Sequence, residues 1–408
     1  MQDHTSTRQL PRWRAALAAA LSAATAVVAL VACGGGGGGD GTAAGGGSTA
    51  AADSYTLGTI SGFGSVIVGG VRFDDSNATI EDEDGNAFRS SDLKLGMRVQ
   101  LDGRGVDHAL GTGIAQRIRF GSEIVGPVGA IDTGASTVVV LGQTVLVTTA
   151  TIFDSSLSGG LSALTAGAVI EVHGILDETT GKVTATRIEP KPAAAFYRVR
   201  GVVSAYDATA KTFKIGSELI SFASVVNVPP TLANGRIVRV QLQTTQVAGA
   251  WVATRIGLGV RGPSTGISDA HVEGAITAFT STTAFEVNGL KVDAASAAFP
   301  DGTTGIVLGA RVEVTGTVSN GVLVATKVEL DDRDGHGPRL LELHGPIASI
   351  DTTAKTFALR GVTVWYGGTV TYKDGTEASL AVNRRVEVYG KLSTDRTRLE
   401  ATRIEFKN

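Results

Sequence analysis

The chain is poor in the residue types that most often build cross-links and metal sites. Its 408 residues include one cysteine, two methionines and ten prolines, and aromatic residues make up 5%. One cysteine excludes an intrachain disulfide, and a single thiol cannot form a cysteine-based zinc site. The chain is instead rich in valine, threonine and isoleucine and has 54 glycines. This composition predicts β-strands separated by glycine, aspartate and asparagine turns.

An excess of positive charge is also missing. Of the 36 basic and 39 acidic residues, residues 1–32 hold three and one, which leaves 33 basic and 38 acidic residues and a formal net charge of −5. A mildly acidic chain without a basic stripe is a poor partner for nucleic acid, and we expect none. No apolar run after residue 33 reaches the length of about 20 residues that a membrane-spanning helix needs.

The position of the single cysteine indicates its role. Arg8, Arg12 and Arg14 precede an uncharged, alanine-rich stretch at residues 15–32, the pattern of a secretory signal peptide. The stretch ends in LVAC at residues 30–33, which resembles the lipobox of bacterial lipoproteins. That resemblance implies cleavage before Cys33 and acylation of its thiol and amino group. Membrane lipid, held through acylated Cys33, is therefore a predicted partner; the alternative is an incidental cysteine in a membrane helix.

The residues after Cys33 predict a tether. Ten of the fourteen residues at 34–47 are glycine, a composition that cannot bury a core and behaves as a flexible coil. The roughly 20 residues up to Ser54 would span about 25 Å. Gly34 stands where an aspartate would retain many lipoproteins in the inner membrane, so we expect a cell-envelope location at the outer membrane.

Five copies of one unit follow the tether. Each begins with a glycine block such as EGAITAFT from Glu273, continues with a block such as LGARVEVTG from Leu308, and closes with one such as ATRIEF from Ala401. The glycines of the first block fall at 58, 126, 201, 274 and 345, a period of 68–75 residues. That period is too long for a solenoid and suits a small domain.

Within each unit the pattern predicts five or six short strands, with one helical turn after the third. Apolar residues alternate, as in Val386 and Val388, and the intervening Glu387 is expected to face water. This order predicts an all-β fold of tandem oligonucleotide/oligosaccharide-binding (OB)-like barrels. The predicted segments are a signal peptide (1–32), a lipidated tether (33–54) and five barrels (55–123, 124–192, 196–258, 271–331 and 340–408).

These blocks are similar to a known family. The start GTISGFGSVIVGGVRFD, the G-x-R-V-x-V-x-G block and the closing A-T-R-I-E resemble the family of domain of unknown function 5666, over roughly residues 55–408 and most strongly in the first and fifth units. The resemblance implies a bacterial lipoprotein of the envelope with tandem copies behind a glycine-rich tether. It implies no activity and supplies no catalytic residue.

The motifs that suggest chemistry are incomplete. GLGVRGPSTG at residues 257–266 satisfies both G-x-G-x-x-G and, around Ser264, G-x-S-x-G, but Pro263 and the polar residues after it provide no helix. His173 and His344 occupy positions that other units fill with residues that are mostly poor metal ligands, so solvated histidines are expected. We predict no catalytic residue, no metal site and no cofactor.

Two acidic loops and a few aromatic residues are the remaining candidates. EDEDGN at Glu81 and DDRDGHG at Asp331 lack the full ligand set of a calcium loop, and they predict a hairpin turn and a solvated linker. Weak cation binding at 331–336 is the better of these two metal hypotheses. Among Trp251, Trp365, Tyr366 and Tyr372, the pair Trp365 and Tyr366 is the predicted ligand-binding face, since such rings stack on sugars and peptides.

Three classes of function remain after these exclusions. We expect a non-enzymatic binding or adhesion array for carbohydrate, peptidoglycan or an envelope protein, because repeated modules on a tether favour multivalent contact. A passive structural spacer is the first alternative. A hydrolytic enzyme is the weaker alternative, because no nucleophile with a neighbouring base can be identified.

Overall fold

The computed structural model describes residues 53–258, 263, 266–331 and 341–407. Cys33, the glycine-rich tether, Ser264 and residues 332–340 lie outside these ranges. The described residues form 29 β-strands and three short 3-10 turns, without an α-helix. Among them, no helix has the length and apolarity required to cross a membrane.

The strands fall into five consecutive groups. The first contains β1 (Asp53–Phe63), β2 (Val66–Val68), β3 (Val71–Asp74), β4 (Thr79–Asp82), β5 (Ala87–Phe88), β6 (Arg98–Asp107) and β7 (Thr112–Phe120). The second contains β8 (Ile124–Asp132), β9 (Thr137–Val140), β10 (Gln143–Phe153), β11 (Val169–Leu176) and β12 (Val183–Pro190). The third contains β13 (Tyr197–Asp207), β14 (Thr212–Ile215), β15 (Glu218–Ser221), β16 (Ile237–Val247) and β17 (Ala250–Leu258).

The last two groups complete the series. The fourth contains β18 (Ile267–Ser281), β19 (Ala284–Val287), β20 (Leu290–Asp293), β21 (Arg311–Ser319) and β22 (Val322–Leu330). The fifth contains β23 (Leu341–Pro346), β24 (Ser349–Asp351), β25 (Thr356–Leu359), β26 (Val362–Trp365), β27 (Thr371–Lys373), β28 (Arg385–Leu392) and β29 (Leu399–Phe406). Strand β18 begins four residues before the predicted start of its unit at 271, because Ile267 is already part of the fourth core.

Each group closes into a small barrel with the same topology. In the second barrel, β8, β9 and β10 form an antiparallel meander, β10 runs parallel to β12, and β11 pairs antiparallel with both β12 and β8. The other four barrels close in the same order. In the OB-type arrangement, the first of five main strands pairs with the fourth, and the third runs parallel to the fifth. The all-β, OB-like prediction is confirmed.

The alternation of apolar residues fills the barrel cores. Val312, Val314, Val386 and Val388 are fully buried, as their period of two predicts. The expectation that Glu387 faces water is wrong, because this side chain is only 5% exposed. Its carboxylate pairs with Lys407 at 2.7 Å and lies 3.8 Å from Arg72 of the first barrel. The outer face of the strand is therefore covered by a neighbouring barrel.

The glycine that ends the second sequence block has a structural reason. The ladder between the last two strands of a barrel is interrupted by a bulge at this position, as at Gly316 and Gly390. A Cβ at Gly390 would lie 2.3 Å from the carbonyl oxygen of Glu400 on the partner strand. The two backbones approach too closely at Gly390 for a Cβ, whereas the third barrel has Leu242 at its corresponding bulge.

Strand ladders also join the barrels to one another. Strand β1 of the first barrel runs parallel to β18 of the fourth and, at its other end, to β23 of the fifth. Strand β8 of the second barrel pairs with β13 of the third. All described strands belong to one compact unit. The barrels therefore form a packed body in which surfaces of individual barrels become interfaces.

Candidate functional site

The tip of an acidic hairpin in the first barrel is surrounded by arginines of the third barrel. The predicted turn is present, with Gly85 N–H donating to the Asp82 carbonyl at 3.0 Å. Asp84, two residues after Asp82, pairs with arginines of the third barrel. Its carboxylate accepts from Arg198 at 2.6 Å and from Arg239 at 2.8 Å. The predicted hairpin turn is therefore present, and Asp84 at its tip also joins the first barrel to the third.

Glu83 extends this network toward the middle of the body. It pairs with Arg200 and, at 3.0 Å, with Arg239. Arg200 also lies 3.0 Å, through Nε, from Oε2 of Glu123, which stands in the connection between the first two barrels. Carboxylates of the first two barrels therefore hold the arginine strands of the third.

A cavity of about 770 Å³ lies beside this network, where the first four barrels meet. Its inner wall includes the buried Arg98 and Arg200 and the partly buried Glu123, whereas Thr231 and Arg236 on its rim are exposed. The further lining is mixed, with Tyr55 and Phe120 beside Glu178, Glu286 and Asn288. The volume is in the range of sites that hold small ligands.

Two guanidinium groups in this wall have incomplete hydrogen bonding. Arg98 is 9% exposed and Arg200 is 4% exposed. Arg98 Nη2 donates to the Glu273 carbonyl at 2.8 Å. The Nη1 atoms of both arginines have no hydrogen-bond partner among the described residues. A buried donor without an acceptor costs about 1–3 kcal/mol or more when charged, so these nitrogens favour a ligand that supplies one.

The carboxyl groups of the cavity differ in their pKa values. Burial raises the pKa of Glu178 to about 7, and the nearby Glu286 adds to the shift. Burial also raises the pKa of Glu123, although Arg200 opposes this. Burial opposes ionisation of Glu83 as well, but the arginines around it outweigh burial and lower its pKa. Protonation of Glu178 as the pH falls through neutrality would therefore remove one negative charge from the cavity lining.

The residues predicted as a ligand face do not share one surface. Tyr366 is 3% exposed, and its ring packs 5.8 Å from that of Phe357, measured between centroids. Trp365 is partly exposed, and the Arg398 guanidinium lies 5.1 Å from its ring centroid. Of the two rings, Trp365 alone offers an accessible edge, and a ligand role for it stays a prediction.

The other sequence candidates are occupied by structural contacts. Trp251 is buried and donates through Nε1 to Glu218 at 2.9 Å. Asp331 pairs with Arg311 at 2.9 Å, and the remaining residues of its acidic loop lie outside the described ranges, as does Ser264. Tyr372 and His344 are partly buried.

His173 departs most from its expected environment. It was expected to be solvated, but it is fully buried beside Glu171 and Glu189. The chain connection at Gly121 and the first barrel cover this face of the second barrel. These three residues are the group within the described part of the chain that can hold a metal ion.

The five closed barrels define the class of the protein, a tandem array of small OB-like modules packed into one body. Three regions of the chain, residues 125–189, 273–329 and 344–405, match the family model of the Domain of unknown function (DUF5666). They coincide with the second, fourth and fifth barrels, a spacing consistent with tandem repeats of this domain. The matches include the fifth unit but not the first, where the resemblance was also expected to be strong.

Comparison with solved structures and curated proteins adds little to this family match. A solved structure of drosophila Unr CSD456 is similar over 52% of this chain and 97% of its own, at 13% identity and a TM-score of 0.14. A TM-score this low gives no information about function. No curated protein matches the chain.

Proposed function

We propose that the protein is a non-enzymatic binding protein of the bacterial cell envelope, anchored through acylated Cys33, and that the cavity between its first four barrels takes an acidic carbohydrate. The observation that carries the proposal is the pair of buried Nη1 atoms, on Arg98 and Arg200, without hydrogen-bond partners among the described residues. A carboxylate on the ligand would supply the charge-assisted hydrogen bonds that these donors lack.

The rest of the lining suits a sugar. Hydroxyl groups need both donors and acceptors, and Asn288, Glu178 and Glu286 supply them along the wall. The ring of Phe120 adds an apolar surface. Arginine and carboxylate side chains next to aromatic rings support a ligand that is polyhydroxylated and negatively charged.

The proposed binding site is shared by several barrels. Residues from four barrels line the cavity, so the modules would act together on one ligand, in addition to any contacts they make singly. An acidic glycan of the envelope matches both the lining and the predicted location. A passive spacer would need no such cavity and is the outcome if no ligand binds.

Calorimetric titration of the full-length protein tests the proposal. Hexuronate oligomers should bind, and neutral glucose oligomers of equal length should bind at least about 10-fold more weakly, because a charged hydrogen bond contributes about 1.5–3 kcal/mol. Arg98→Gln should weaken hexuronate binding by about 10- to 100-fold. Arg117→Gln, at a half-exposed arginine outside the cavity lining, is the matched control and should bind as wild type does.

Two results would contradict the binding site. One is equal affinity for neutral and acidic oligomers, and the other is an unchanged affinity in Arg98→Gln with a wild-type melting temperature. Failure of every oligomer to bind would favour the spacer.

A further inference from the structure

Three potential metal ligands converge on the outer face of the second barrel. Glu171 and His173 are two residues apart on β11, so their side chains share a face. Glu189 on β12 is the cross-strand partner of Glu171. One ligand atom from each residue lies within 4.8 Å of the other two. The separation between His173 Nε2 and Glu171 Oε1 is 3.9 Å.

The imidazole of His173 is oriented as a metal ligand requires. Its Nδ1 lies 3.0 Å from the carbonyl oxygen of Gly121, and because a carbonyl only accepts, Nδ1 carries the proton. The lone pair is therefore on Nε2, which is buried and has no hydrogen-bond partner among the described residues. A backbone carbonyl that fixes the tautomer in this way is the usual support of a histidine ligand.

The two carboxylates are already held by cations on their other oxygens. Lys191 binds Glu171 Oε2 at 2.7 Å, and Lys94 and Arg187 bind Glu189 Oε2 at 2.8 and 2.9 Å. Such contacts fix carboxylates in place as outer-shell partners. Arg187 also pairs with Asp154 at 2.9 Å, so three acidic and three basic groups balance. The site is therefore stable without an ion, and a divalent ion would bind with moderate affinity.

We propose that Glu171, His173 and Glu189 form a binding site for a divalent transition-metal ion of the Zn²⁺ class, which goes beyond the proposed function in the cavity. One imidazole with two carboxylates suits zinc and its first-row neighbours, whereas Mg²⁺ and Ca²⁺ prefer oxygen ligands alone. Bonds of about 2.1 Å place tetrahedral ligands about 3.4 Å apart. The pair at 3.9 Å would need to close by about half an ångström, and a pair at the 4.8 Å limit by about 1.4 Å.

The ion would strengthen a contact between barrels. Lys94 belongs to the first barrel, and Gly121 to the connection between the first two barrels, and both support ligands on the second. Binding should therefore stabilise the junction of these two barrels. Any ligand that binds the folded chain and not the unfolded one raises its melting temperature.

The fifth barrel carries a natural counterpart without the imidazole. Glu387, Tyr389 and Glu405 occupy the corresponding strand positions there, and the phenol of Tyr389 donates to Glu387. No imidazole nitrogen is present among these three side chains, so this cluster should not bind Zn²⁺. Glu387→Gln is therefore the matched control for a change in the second barrel.

Titration of untagged, chelator-treated full-length protein with Zn²⁺ tests the site. We expect one equivalent to bind the wild type and raise its melting temperature, and Co²⁺ in its place to give the intense visible absorption of tetrahedral coordination. Mg²⁺ and Ca²⁺ at the same concentration should produce neither effect. His173→Gln and Glu189→Gln should each weaken Zn²⁺ binding at least about 10-fold, the size of loss seen even for outer-shell partners.

Circular dichroism shows whether His173→Gln and Glu189→Gln fold. If one of them does not, the other still tests the site. Glu387→Gln and His108→Gln, the latter at an exposed histidine that pairs with Asp269, should bind one equivalent as wild type does. Absence of Zn²⁺ binding to the wild type overturns the proposal. Unchanged binding in a folded His173→Gln or Glu189→Gln variant overturns it as well.

Discussion

Replacement of Asp84 by alanine should test whether the barrels form one cooperative body. The side chain is 12% exposed and pairs with Arg198, Arg239 and, at 3.1 Å, the more exposed Arg255. Removing one partner of a buried pair costs about 3–5 kcal/mol, because the other charge is left uncompensated. The exposed pair with Arg255 adds little. We therefore expect a loss of about 3 kcal/mol in the free energy of unfolding.

The size of the change in melting temperature depends on how much of the chain unfolds together. Unfolding entropy is about 2.1 cal/mol/K per residue. For the roughly 350 residues of the barrel body, about 3 kcal/mol corresponds to a decrease of about 4 °C. For a single barrel of about 70 residues that unfolds alone, the same loss corresponds to about 20 °C. Because strand ladders cross between barrels, we expect one transition and the smaller shift in differential scanning calorimetry.

A control and a double-mutant cycle isolate the ion pair. Asp102→Ala removes a more exposed carboxylate that pairs with Arg117 and Arg119 of its own barrel, and it should cost less than about 1 kcal/mol. The cycle of Asp84→Ala with Arg198→Ala should give a coupling energy above about 0.5 kcal/mol. An Asp84→Ala shift no larger than that of Asp102→Ala would refute the docking role of the hairpin, and a separate transition shifted by about 20 °C would refute the cooperative body.

Three further predictions follow from other parts of the chain. Cys33→Ser should abolish labelling by a fatty-acid probe and leave the precursor uncleaved; a variant that still matures at this position would exclude the lipid anchor. Gly390→Ala should lower the melting temperature by several degrees because its Cβ meets the Glu400 carbonyl. Gly257→Ala should cost less, because a Cβ on that strand residue lies 3.9 Å from the carbonyl oxygen of Arg239; equal effects would contradict the bulge. Glu178→Gln should be more stable than wild type at pH 8 but not at pH 4, because the pKa of Glu178 is raised from 4.5 to about 7. The stability that the protonated carboxyl supplies is lost as the pH rises through that interval. Parallel pH profiles of the two melting temperatures would disprove the shift.

The position of the cavity changes how the repeats are understood. Independent modules on a tether would each offer a small surface, and multivalency alone would supply affinity. In the packed body, Arg98 and Glu123 come from the first barrel and its connection, and Arg200 comes from the third. The candidate site therefore exists only when the barrels are assembled.

The sequence by itself determined the barrel and its repetition. Alternating apolar residues such as Val386 and Val388 specify which face of a strand is buried, because successive side chains point to opposite faces. The recurrent glycine at positions such as 390 is required by backbone contact within one barrel. These constraints are local, so the order and approximate length of the main strands follow from periodicity and turns, whereas the short extra strands that bring the first and fifth groups to seven do not.

Only the tertiary structure decided what happens to the other face of each strand. Glu387, His173 and Arg200 all stand at outward positions that predict solvent exposure, yet all three are buried against neighbouring barrels or connections. The orientation of one barrel against another depends on contacts between residues far apart in sequence, such as Glu83 with Arg200, and no local period encodes such pairs. The cavity and the metal-ligand cluster arise at these interfaces because buried charges must find partners there, which a single barrel in water does not require.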